Sequence, residues 1–235
     1  MTVEVIFSHS GSMFAYYLGI AEVLQKYDLS DVVFSGTSGG CFPCILLNCE
    51  RDIRDFFNQI LEYIKTNSFK NWDNLIKDFL ETYIHEEDIE RNQNKFHCKL
   101  TKLKRFMLFE KVVVSNWTDK QDFVDCISAA CFVPIMSSDN QFYKTYRNEK
   151  IIDGFFSGTS SEAITEHKSI LFHPNKWRFI DPTWLLPSKD TEWLSAMYEL
   201  GFNDALANIR DIEQVLNPIK EKELEIENDS ASQSK

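Results

Sequence analysis

Gly36-Thr37-Ser38-Gly39-Gly40 is a G-x-S-x-G sequence directly behind the apolar run Val32-Val33-Phe34 and ahead of a helix-compatible stretch. A serine on such a strand-to-helix turn projects its hydroxyl out of the sheet. Small neighbours, here Gly36, Gly39 and Gly40, let the backbone turn tightly and leave room for an acyl group. The helix start adds a dipole that favours negative charge. The chemistry this suggests is attack on an ester carbonyl through an acyl-serine intermediate. The same five residues would also serve as a plain connecting turn, so a second element is needed: a hydroxyl is a poor nucleophile until a neighbouring base takes its proton.

Asp153, in Ile151-Ile152-Asp153-Gly154, is one such base, although an isolated Asp-Gly pair is ordinarily a turn carboxylate. Asp181 and Asp139 are weaker substitutes. A Ser–His–acid triad would need His9, His85, His97, His167 or His173. His167 and His173 follow Ser38 and Asp153 in the order an α/β-hydrolase uses, but neither sits in a recognisable loop motif. Cys41-Phe-Pro-Cys44 has redox or half-zinc spacing without a second pair or suitably spaced histidines. Cys41, Cys44 and Cys49 therefore read as small apolar residues on a buried helix, and no metal is expected.

Four elements, SHSGSMFAYYLGI, GTSGG, DFVDCISAACFVPIM and IIDG, occur in the order seen in patatin-like phospholipases and span about residues 3–158. Together they resemble that family. The resemblance implies a Ser–Asp dyad without histidine, in which Ser38 is the nucleophile and Asp153 the base, with Gly154 shaping the turn that presents the acid. It implies a lipid acyl hydrolase of the phospholipase A or acylglycerol lipase type, acting on a phospholipid or acylglycerol with no metal and no cofactor. The first loop should supply the oxyanion hole through the backbone N–H groups of Gly11 and Ser12, joined by that of Gly39.

In that loop the family pattern of three glycines, any residue, a basic residue and glycine falls on His9-Ser10-Gly11, Ser12, Met13 and Phe14, so only the third glycine of the triplet is kept. Weak turnover is therefore expected, and restoring arginine at 13 and glycine at 14 should raise the acylation rate if the loop geometry survives. The alternative is a catalytically weakened lipid-binding or interaction protein that keeps the fold and dyad. A Ser–His–Asp hydrolase or acyltransferase is a third reading.

These residues need a scaffold. Residues 3–7 and 31–35 are short β-branched and aromatic runs, each followed by a Ser/Gly-rich turn and a helix-compatible stretch. This rhythm of β-turn-α units predicts a parallel, covered sheet. Between them, Tyr16 to Leu24 fits a helix. From Arg51 to Glu90, one stripe of Ile53, Phe56, Phe57, Ile60, Leu61 and Ile64 and another of Leu75, Ile76, Phe79, Leu80 and Tyr83 predict a helical insertion over the sheet. Phe106–Ser115 reads as a buried strand and Phe123–Phe132 as a helix capped by Asp122 or Thr118. Gln141–Ile152 contains strand and turn residues, Ser169–His173 is a later strand, and a long helix runs from Ser188 through Leu216. The expected fold is α/β, a three-layer α/β/α arrangement with a mostly parallel central sheet. Residues 1–217 are expected to form one domain and the charged, then Ser-rich 218–235 a disordered tail.

A chain of 235 residues, 43% hydrophobic, can bury one substantial core. Its net charge of -11 argues against a nucleic-acid partner. The one basic cluster, Lys95, Lys99, Lys102, Lys104 and Arg105, reads as a solvated loop or strand face. Six cysteines behind a start with no signal-peptide character suggest reduced thiols and a cytoplasmic setting. No apolar stretch approaches the roughly 18 residues of a spanning helix, so contact with a membrane or lipid-droplet surface is expected to be peripheral. Most of the aromatic residues are assigned to the core, with Trp184-Leu-Leu-Pro187 and Phe155-Phe156 the segments best placed near an acyl pocket.

Overall fold

The computed structural model describes residues 2–49, 51–68, 71–105, 108–138 and 140–217. The expected tail at 218–235, Asp139, and residues 106–107 at the head of one expected strand lie outside the described residues. The two β-turn-α units form as their patterns predict: β1 (Val3–Phe7) leads to α1 (Phe14–Leu24), and β2 (Val32–Thr37) to α2 (Cys41–Asn48). β1 and β2 pair in parallel, Val3 opposite Val32.

The insertion comprises α3 (Ile53–Thr66), α4 (Trp72–Tyr83) and α5 (Glu86–Asn92). The side chains of Asp52 and Asn71 cap the first two by accepting from Asp55 N and Asn74 N, satisfying N–H groups that have no partner within the helix. All six stripe residues of α3 are buried, as are Leu75, Phe79 and Leu80 of α4, and Phe56 meets Phe79 edge-on at 5.3 Å. The apolar faces thus zip the two helices together.

Beyond this point the structure revises several expectations. The segment carrying the basic cluster is β3 (Phe96–Leu103), a central strand in which Lys99 is fully buried rather than solvated. β4 (Phe109–Val114) is shorter than expected and largely half-buried, with Leu108 and Phe109 exposed, because it pairs only with β3. α6 (Lys120–Ala130) starts earlier, with Asp119 as its cap; the Asp122 carboxylate instead holds Arg147. A hairpin of β5 (Lys144–Tyr146) and β6 (Glu149–Asp153) turns through Arg147 and Asn148, both at positive φ, as a two-residue hairpin turn requires. β7 (Lys168–Phe172) lies parallel to β1. The last expected helix begins at a later cap, Asp190, and is divided at Asn208 into α7 (Thr191–Ala207) and α8 (Ile209–Glu213).

The seven strands form one mixed sheet of order β5-β6-β3-β2-β1-β7, with β4 on β3. The expected mostly parallel sheet is corrected here: β1–β2, β1–β7 and β2–β3 are parallel, whereas β3–β4, β3–β6 and β5–β6 are antiparallel. The short β5–β6 link can only join antiparallel strands. No helix among the described residues is long and apolar enough to cross a membrane.

One feature of the register governs the site. β2 pairs with β3 up to Thr37 opposite Lys99, and β6 pairs with β3 from Ile151 to Asp153 opposite Leu100. β4 overlaps both stretches of β3, so it must occupy the other edge. β2 and β6 therefore share one edge of β3 and run towards each other, ending at adjacent β3 residues.

Candidate active site

The turn after β2 is sharp. Thr37 is still extended, Ser38 is left-handed at φ +55, and Ser38–Gly40 form a 3-10 turn that feeds α2. A serine with positive φ is uncommon, and such strain clusters at functional sites. Gly40 permits it: a Cβ there would stand 2.4 Å from the carbonyl oxygens of both Phe7 and Ser8, so only glycine lets the elbow sit against the end of β1.

Asp153 ends β6 head-on to this elbow and is 1% exposed. Its Oδ1 accepts from Phe155 N at 2.8 Å, while Oδ2 is buried without a hydrogen-bond partner. Burial pushes the carboxyl up to about 7, against the opposing pull of the nearby Ser38 hydroxyl and the Phe155 N–H. Ser38 is thus close enough to favour the carboxylate, but Oδ2 has no formed hydrogen bond from it, a looseness common in catalytic pairs before substrate binds. A carboxylate poised near 7 suits a general base at neutral pH.

The first loop folds as a 3-10 turn, Gly11–Met13, entered through Gly11 at φ +51. Gly11, Ser12 and Gly39 are early residues of their turns, where N–H groups lack an intrahelical partner, and all three line the same cleft as Ser38. The Ser12 hydroxyl accepts from Ser188 N at 2.7 Å, and a Cβ on Gly11 would stand 1.8 Å from Leu185 O. The segment around Leu185 therefore lies directly over this turn. Met13 is fully buried in the core, and Phe14 lines the cleft, packed on Phe42 at 5.6 Å.

The cleft takes in ≈ 860 Å³ of space between atoms, counting the part open to solvent. From Ser38 it runs under the insertion, past Ile60 and Ile64 of α3 and Leu75 and Phe79 of α4. Lys144 binds Asp73 Oδ2 and Ser128 donates to Asp73 Oδ1, fixing the start of α4 to the β5 strand and α6. Leu185 and Pro187 line the cleft as their segment suggested. Phe155, by contrast, is turned out, its ring against His9 at 4.5 Å, and Phe156 packs towards Phe109 at 6.2 Å.

No histidine hydrogen-bonds Ser38 among the described residues. His9 Nδ1 instead meets Ser160 Oγ at 2.9 Å, and burial, with His173 nearby, holds its ring down at about 4, neutral at physiological pH. Asp181 spends its Oδ1 on Thr183 N and Oγ1, capping a turn. All six cysteines are buried and free, with Cys41 and Cys98 sulfurs 3.8 Å apart. Among the described residues no group of three or more His, Cys, Asp or Glu is placed to hold a metal ion. Sequence reasoning missed Lys99, whose Nζ donates to Ser160 O at 3.2 Å and Glu162 O at 2.5 Å. Burial pulls this amine down to about 8, with Glu4 opposing. A lysine in a run of lysines gave no signal of burial.

No protein-family model matches the chain. It is 26% identical over 170 residues to the omega-hydroxyceramide transacylase of Homo sapiens, covering 66% of this chain and 31% of that protein. Against the Mus musculus omega-hydroxyceramide transacylase it is 27% identical over 169 residues, covering 66% of this chain and 27% of that protein. The chain thus spans less than a third of the length of these curated relatives. By these comparisons it is a distant relative of lipid-modifying enzymes.

Proposed function

We propose that the chain is a lipid acyl hydrolase in which Ser38 is the nucleophile and Asp153 its base, on a patatin-like three-layer fold with residues 1–217 as one catalytic domain. The observation that carries this reading is a serine on a left-handed elbow beside a buried carboxylate with an unpaired oxygen, at one end of an apolar cleft. Asp153 Oδ2 takes the Ser38 proton as Oγ attacks the ester carbon, and the N–H groups of Gly11, Ser12 and Gly39 receive the charge on the carbonyl oxygen. The proton passes to the departing alcohol, the acyl chain lies between α3 and α4, and water completes the cycle. The substrate is a phospholipid or acylglycerol, met at a membrane or lipid-droplet surface from the cytoplasmic side.

A second reading replaces water by a lipid hydroxyl as the acyl acceptor. It is favoured by the near-dry dyad, with Ser38 7% and Asp153 1% exposed, and by the relatives' name. Product analysis with a long-chain alcohol present separates the two readings: free fatty acid alone supports hydrolysis, a new ester supports transfer.

An active-site fluorophosphonate is expected to modify Ser38 and no other residue, as read by peptide mapping. Labelling of Ser38→Ala as strong as that of wild type would remove the nucleophile, and a wild type left unlabelled would favour the weakened lipid-binding alternative. The cleft yields a further expectation. Ile64→Trp fills space between α3 and α4, so turnover of a long-chain ester should fall at least about tenfold further than that of a butyrate ester, in keeping with pocket discrimination of ~1–3 kcal/mol. An unchanged ratio would place the acyl chain elsewhere.

A further inference from the structure

Acyl transfer needs three groups fixed relative to one another: the nucleophile, the base and the oxyanion donors. Here they come from three strand ends, after β1, β2 and β6, and the loop that carries the base continues away from the sheet through Gly154–Ser157. That loop returns at Ser160, which is buried. Three contacts converge on this one residue. Its hydroxyl shares a 2.9 Å hydrogen bond with His9 Nδ1, in the turn that supplies Gly11 and Ser12. Its carbonyl accepts from Lys99 Nζ at 3.2 Å, and from Thr37 Oγ1, the residue before the nucleophile, in a long contact of 3.5 Å.

We infer that Ser160 is a positioning residue that joins the oxyanion turn, the nucleophile strand and the base loop through its bonds to His9, Thr37 and Lys99. The inference rests on the acyl-transfer reading for its catalytic consequence. The hydroxyl does not touch the substrate; it fixes where the turn at residues 9–13 stands relative to Asp153. Three features suit it to this task. Lys99 is fully buried and also holds Glu162 O, so the Ser160 carbonyl is gripped from within the sheet. The neutral His9 ring is wedged between Phe155 and His173, with centroids 4.5 and 5.7 Å away, so it transmits the bond rather than swinging free. Thr37 precedes the strained Ser38, so a shift at Ser160 reaches the elbow directly.

Displacing a reacting group by about 1 Å can cost 10²-fold in rate. Ser160→Ala is therefore expected to slow single-turnover acylation by about ten- to a hundredfold with KM for a soluble ester within about twofold of wild type, while Ser160→Thr, which keeps the hydroxyl, recovers most of the rate. Combining Ser160→Ala with His9→Gln should cost no more than the more harmful single change, as for two residues acting through one bond. Amide hydrogen exchange at residues 9–13 provides an arm that needs no activity: it should quicken in Ser160→Ala while exchange in α1 and α7 stays at the wild-type rate. Should wild-type Ser38 fail to react with a phosphonate, the acyl-transfer reading fails, and the exchange arm alone decides the coupling of the loops. An acylation rate in folded Ser160→Ala equal to wild type, additive losses in the double variant, or unchanged exchange at residues 9–13 would each overturn the inference.

Discussion

Asp153→Asn is expected to abolish ester turnover and, at pH 8, to melt at a higher temperature than wild type. The first effect follows from losing the carboxylate beside Ser38; general-base catalysis contributes about 10²–10⁴-fold, and the upper end applies where no histidine stands in. The second follows from burial. The carboxyl titrates near 7 in the folded chain against an ordinary value of 3.8, so between these limits the folded state holds the proton that the unfolded chain has released. Stability therefore falls as pH rises from about 4 to about 7, and above 7 the full cost of a buried carboxylate is present. A rise from 3.8 to about 7 corresponds to about 4 kcal/mol. Asparagine removes that cost and keeps an oxygen for the Phe155 N–H. The Tm difference should shrink towards zero by pH 4, and wild-type kcat/KM should climb with pH through about 7. A variant melting below wild type at pH 8 would show that the carboxylate is held by partners that outweigh its burial.

The Met13→Arg, Phe14→Gly double variant should unfold or nearly unfold the protein, although it restores the family pattern. On sequence alone it is expected to speed acylation if the loop geometry survives. The structure argues against that condition, because Met13 is 0% exposed within the core, where a guanidinium would be cut off from water. An uncompensated buried charge costs on the order of 3–5 kcal/mol. Removing Phe14 adds the loss of its contact with Phe42 and of a cleft wall, on the order of another 3 kcal/mol. Together these approach the total stability of an ordinary domain. Urea titration measures the loss, and a double variant with a wild-type midpoint would mean that residues 11–13 repack to expose position 13.

What the sequence made legible was local. Ser38 on its strand-to-helix turn, the buried stripe of α3 and three of the five stripe positions of α4 follow from spacing alone, since side-chain period reports directly on which face is covered. The meeting of Ser38 with Asp153 was not derivable that way, because it depends on which edge of β3 each strand takes, two pairings that together bring segments more than a hundred residues apart to one place. For that, only the resemblance pointed to Asp153. The burial of Lys99 is hidden in the sequence because the 160–162 loop folds over it, and that of Met13 because a motif position says nothing of what packs around it. Asp122 and Thr118 lost the expected capping role to Asp119, whose side chain accepts from Asp122 N.

The shared edge of β3 makes the distance between nucleophile and base a quantity that changes only in steps. Thr37 and Asp153 face consecutive residues of one continuous strand, so that strand acts as a ruler graduated at about 3.3 Å per residue. Sliding β6 by one residue would turn the carboxylate to the opposite face of the sheet, and sliding it by two would restore the face but leave the acid about 6.6 Å out of place. No intermediate setting exists. Variation can therefore tune the chemistry through the loops around the dyad, whereas an insertion or deletion between Arg147 and Asp153 would move the acid by a whole step unless a bulge absorbed it.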